Sequence, residues 1–104
     1  MTHYYRHYDD PSKTREQHDE QAVRDLEEYL SPRQLSTIRD CLAQPLSYSV
    51  QDLNILLGFC GVSGRPFFAL MRKHRLEDFK AWCRSDQGGK PREVDEAGFF
   101  VDGE

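Results

Sequence analysis

The chain changes character twice between residues 49 and 76. A stretch that is apolar nearly all round, with Leu53, Ile55, Leu56, Leu57, Phe59 and Cys60, runs into Gly61-Val62-Ser63. An amphipathic stretch follows, in which Phe67, Leu70 and Met71 share one face and Arg65, Arg72, Lys73 and Arg75 supply positive charge. Gly61 offers the positive φ that a sharp turn needs, Val62 can plug the corner, and Ser63 can cap the next helix. Pro66 is compatible with a helix only in its first turn, which predicts a helix over 64–74. An apolar helix, a tight turn and a basic amphipathic helix together make the plan of a helix-turn-helix over 49–76.

The flanking segments carry the same punctuation. Ser31 followed by Pro32 and Gln34 reads as a capping box, with Leu35, Ile38, Cys41 and Leu42 as the buried face of the helix and Pro45 ending it. Ser49 starts the third helix, with Asp52 in its first turn where a negative charge is favoured. Upstream, Asp10-Pro11 predicts a first helix over 11–30, with an apolar stripe formed late by Ala22, Val23, Leu26, Tyr29 and Leu30. Leu76, Phe79, Ala81, Trp82 and Cys83 indicate a continuation of the fourth helix or a short fifth one. Residues 86–104 are acidic and broken by Gly and Pro, with a scrap of extended chain at Phe99-Phe100-Val101. The expected fold is all-α: four to five short helices with a helix-turn-helix, a disordered N-terminal arm over 1–9 and a flexible acidic tail over 86–104. The helical domain would span 10–85, with helices 10–44 as the surface for a homodimer.

Charge is distributed unevenly. The net charge of −4 divides into −4 over residues 1–57, +4 over 58–85 and −4 over 86–104. The basic island coincides with the helix-turn-helix. The 104 residues suffice for one domain, and no apolar run is long enough to span a membrane. Three cysteines, Cys41, Cys60 and Cys83, lie on apolar stripes and fit buried thiols in a reducing cytoplasm. No phosphate loop, catalytic pair or metal-ligand spacing is present, so an enzyme, a cofactor and a functional metal site are not expected. His3 and His7 are read as incidental to metal binding. Tyr4, Tyr5 and Tyr8 in the arm, and Phe99 and Phe100 in the tail, fall outside any core argument and suit docking on a partner.

The segment 61–77, GVSGRPFFALMRKHRLE, resembles the second half of the C-terminal helix-turn-helix of the Fis (factor for inversion stimulation) family. The positions that carry the resemblance are Gly61, Val62, Ser63, Phe67-Phe68, Met71, Arg72-Lys73, His74, and Leu76 with Glu77. The resemblance implies a cytoplasmic DNA-binding regulator of transcription or DNA architecture, dimeric through its first two helices. It also implies roles for particular residues. Ser63 and the start of the helix would meet a phosphate, Arg65 would read guanine, and Phe68 would touch a thymine methyl. Arg72, Lys73 and Arg75 would bind phosphates. The sequence departs from the family at Pro66, where a polar residue is usual, and at Ala69, where a basic one is. It departs again at Leu56 and Leu57, where small alanines are usual.

Those departures leave a second reading open. A helix face carrying Pro66, Phe68 and Ala69 suits a protein partner better than a DNA groove. On that reading the chain is a small interaction module or inhibitor that binds a protein through helix 64–74 and does not bind DNA.

Overall fold

Three reciprocal capping boxes fix where the first three helices begin. The computed structural model describes residues 12–86 and 89–101. The arm over 1–9, with its tyrosines and histidines, and the Asp10-Pro11 helix start lie outside those residues. Helix α1 spans Arg15–Tyr29, α2 Pro32–Leu42, α3 Val50–Phe59, α4 Arg65–His74 and α5 Leu76–Arg84. Ser31 with Gln34 forms the cap of α2 that the sequence predicts, and at the expected start of α3 Ser49 and Asp52 form a further capping box. The first helix starts later than expected. Thr14 Oγ1 accepts from the Gln17 amide at 3.2 Å, and the Gln17 side chain accepts from the Thr14 amide at 2.9 Å. That pair satisfies two otherwise unmade backbone bonds and sets the start at Arg15.

The turn between α3 and α4 forms as the glycine implies. Gly61 has φ 81°, and Val62 is fully buried in the corner. The cap of α4 differs from the expectation: Gly64, at φ 68°, is the N-cap, and Ser63 stands exposed in the turn before it. Between α4 and α5 the helix breaks at Arg75, whose backbone leaves the helical region at φ −137° and ψ 46°.

Which helix lies at the centre is the main departure. The apolar composition of α3 pointed to it, yet α3 buries Val50, Leu53 and Leu57 and leaves Ile55 50% and Phe59 84% exposed. Helix α4 is the enclosed one, with Pro66, Phe67, Ala69, Leu70, Met71 and Arg72 all buried. It packs chiefly against α1, and also against α3 and α5. Ala22, Val23 and Leu26 of α1, and Ile38 and Cys41 of α2, join the same core. The apolar stripes of α1 and α2 thus bury Ala22, Val23, Leu26, Ile38 and Cys41 within one chain, with Leu35 and Leu42 partly covered.

Part of the C-terminal segment, expected as a flexible tail over 86–104, is placed against the helices. Residues 93–101 turn back on themselves and lie against the helices. Asp95 Oδ1 accepts from the Ala97 and Phe99 amides at 3.0 Å each, Gly98 takes φ 84°, and Val94 forms an antiparallel bridge with Phe100. Asp at the start of the turn and Gly at its left-handed position are the residues such a hairpin requires. Val94, Phe99 and Phe100 are buried. Removing each phenylalanine from water favours docking by about 1.5–3 kcal/mol, which explains why an acidic segment is held on the core. The two rings expected to await a partner are seated on their own chain. Among the described residues no helix is long and apolar enough to cross a membrane.

Candidate interaction face on α4

Six residues were singled out by the sequence, and the structure separates them. Ser63, Arg65 and Lys73 are exposed. Arg72 and Arg75 are buried, and Phe68 is half-buried against the core.

Arg72 lies in an enclosed network. Its Nε donates to Asp19 Oδ2 at 2.6 Å and its Nη2 to Asp19 Oδ1 at 2.9 Å, a bidentate pair between α4 and α1. Its Nη1 donates to the Gly98 carbonyl at 3.2 Å. The Phe99 ring stacks on the same guanidinium, 4.2 Å from its centre, while Arg15 approaches that ring at 4.3 Å. Arg75 is held elsewhere. It donates to the Tyr48 carbonyl and to Asp78 Oδ2, each at 2.9 Å, tying the loop after α2 to the start of α5. Neither guanidinium is directed outward for a phosphate in this arrangement. Among the described residues no buried side-chain nitrogen or oxygen lacks a hydrogen-bond partner.

Phe68 belongs to an aromatic cluster. Its ring meets Phe100 edge-on at 5.1 Å, Phe67 at 6.0 Å and Phe79 at 5.8 Å. Trp82 stacks on Phe79 at 6.1 Å and donates its indole N–H to Gln51 Oε1 at 3.1 Å. Of the α4 positions expected to face a groove, Phe68 and Arg72 are thus covered by neighbouring elements together with Ala69 between them, whereas Arg65 and Lys73 remain exposed.

A cleft of about 550 Å³ remains along the seam between α1, α4 and the hairpin. Val23, Ala69, Leu76 and Phe99 contribute apolar surface, and Glu20 and Lys73 stand exposed beside them. Such a site takes an apolar side chain and orients it by charge at the edge. At the far end of α4, burial and then the neighbouring Lys73 push the His74 pKa below its ordinary value. In the hairpin, the Phe99 amide and, after it, Arg15 hold the Asp95 carboxyl below the usual carboxylate range. Among the described residues no three His, Cys, Asp or Glu side chains gather to hold a metal ion.

Sequence reasoning missed Asp19, Arg15, Gly98 and Phe99 as partners of the α4 face. For Asp19 no local signal exists, because 53 residues separate it from Arg72. For the hairpin a signal was present: Asp95 and Gly98 bracket a turn just before the paired phenylalanines. No protein-family model matches the chain, and no curated protein or solved structure matches it either.

Proposed function

We propose that this protein is a small, non-catalytic interaction module that takes a partner protein in the cleft between α1 and α4. The observation that carries this reading is the engagement of Arg72, whose guanidinium is buried on Asp19 and Gly98. Of the DNA-contacting residues that the resemblance implies, Phe68, Arg72 and Arg75 are engaged within the fold, and Ser63, Arg65 and Lys73 alone stand exposed. The cleft itself has the form of a protein-binding site, with an apolar floor at Val23 and Leu76 and opposite charges at Glu20 and Lys73.

The test places a photo-cross-linking amino acid at Glu20 or Lys73 in the cleft, with Ser36, exposed on α2, as the control site. The cleft positions should yield a discrete protein adduct that the control does not. The same preparation should leave a random-sequence duplex unbound at low salt. Micromolar duplex binding that falls steeply with salt and is lost in Arg65→Ala/Lys73→Ala would overturn the reading in favour of a DNA-binding regulator.

A further inference from the structure

The hairpin over 93–101 is seated as a bound peptide would be. Three cationic side chains donate to its main-chain carbonyls at every second residue: Arg84 to Val94 at 2.9 Å, Lys80 to Glu96 at 3.2 Å and Arg72 to Gly98 at 3.2 Å. Contacts to carbonyls recognise a backbone whatever its side chains, and specificity then comes from pockets for particular groups. Two such places are filled. Phe99 lies between the guanidiniums of Arg15 and Arg72, and Phe100 meets Phe68 edge-on at 5.1 Å. Asp95 pairs with Arg15 at 2.9 Å and adds an acidic requirement. Within itself the hairpin has the Val94–Phe100 bridge, backbone bonds from the Asp95, Gly98 and Val101 amides, and the two amides held by Asp95, but among the described residues no second strand pair extends it. A two-stranded hairpin alone is at best marginally stable in water, so its order derives from the surface beneath it.

From these contacts we infer that the face formed by α4, α5 and the start of α1 is a peptide-binding surface, occupied in cis by residues 93–101. The partner that fits it carries the same chemistry: an acidic turn followed by two adjacent phenylalanines. Such a segment displaces the hairpin and docks in its place. The inference shares with the proposed function the premise that the partner is a protein, and the two sites adjoin, since Ala97 and Phe99 of the hairpin also line the cleft. The cis segment competes at an effective concentration on the order of millimolar, so the closed chain binds a free segment weakly.

Gly98 supplies the means to release it. A Cβ there would meet Leu76 Cδ1 at 2.7 Å and Arg72 Cγ at 3.0 Å, at a φ of +84° that β-branched residues do not adopt. Gly98→Val therefore removes the hairpin from its seat through a change confined to the hairpin. Phe99→Ala weakens docking by a separate route.

The experiment titrates a fluorescent peptide with the sequence of residues 90–101 onto full-length wild type, Gly98→Val and Phe99→Ala, with helical circular dichroism recorded for each. Both variants should keep their helices and bind the peptide about tenfold more tightly than wild type, or better, as the population of the open state rises. A peptide with alanine at both phenylalanine positions should not bind, and adding Arg84→Ala to Gly98→Val should weaken the complex. Folded variants that bind no better than wild type overturn the inference. So does loss of cooperative folding in both, because the hairpin is then part of the core and not a displaceable occupant. A negative cleft cross-link leaves this result unaffected, so the two proposals fail separately.

Discussion

Arg72→Ala distinguishes a structural guanidinium from a solvated one. In the structure Arg72 makes two charge-assisted bonds to Asp19, at 2.6 and 2.9 Å, and a third to the Gly98 carbonyl. Its side chain is 5% exposed and that of Asp19 is 22% exposed. Removing one member of a buried pair costs about 3–5 kcal/mol, because the remaining charge keeps its desolvation without its partner. Water reaches part of Asp19 and recovers some of that, which places the expected loss near the lower end, about 3 kcal/mol. For a domain of this size that corresponds to a fall in Tm of roughly 12–24 °C. Were Arg72 a surface residue awaiting a phosphate, its removal would change stability by no more than about 0.5 kcal/mol. Urea denaturation of wild type, Arg72→Ala, Asp19→Ala and the double variant supplies the assay. The double variant should be little worse than Arg72→Ala alone, giving a coupling energy of about 2 kcal/mol. Arg72→Lys should not restore stability, since an ammonium cannot make the bidentate pair. A loss below about 1 kcal/mol for Arg72→Ala, or additive single variants, would refute the reasoning.

Two further predictions concern the core and its pH response. Leu57 is fully buried in α3, so Leu57→Asp places an unpaired carboxylate there and costs more than about 4 kcal/mol, with loss of the helical circular dichroism signal; a variant that unfolds cooperatively at the wild-type midpoint would contradict the assigned core. His74 has a pKa lowered from 6.5 by burial and then by Lys73, with Glu27 and Arg39 also acting on it. Below its ordinary pKa the unfolded chain therefore binds a proton that the folded chain resists, so this contribution is full above about pH 6.5 and is lost as the pH falls through the folded value. Urea midpoints should drop on acidification across that window in wild type and drop less in His74→Gln; equal slopes would remove His74 as the cause.

Helix boundaries were legible where their signals are local. The caps at Ser31 and Ser49 each involve a side chain and an amide three residues away, and the same sequence signs recur wherever those bonds form. The turn at Gly61 with Val62 in its corner is equally local. Thr14 with Gln17 was legible by the same rule, yet the proline at position 11 drew the expected start four residues too early. The hairpin was half-legible: Asp95 and Gly98 specify a turn, but nothing within residues 93–101 says that the turn has a surface to lie on.

The candidate site depended on tertiary structure for a plain reason. A basic residue on an amphipathic helix reads the same whether its neighbour is water, a phosphate or a distant carboxylate. Arg72 finds Asp19 only once α1 lies along α4, and Phe99 finds Arg15 and Arg72 only once the hairpin has folded back. The sequence by itself determined an all-α chain, its later caps and its central turn, because short-range hydrogen bonds and backbone sterics act within a few residues. Tertiary packing alone decided that α4 and not α3 is enclosed, since burial depends on which apolar faces meet. Composition ranks α3 as the most apolar helix, but α1, α3, α5 and the hairpin converge on α4.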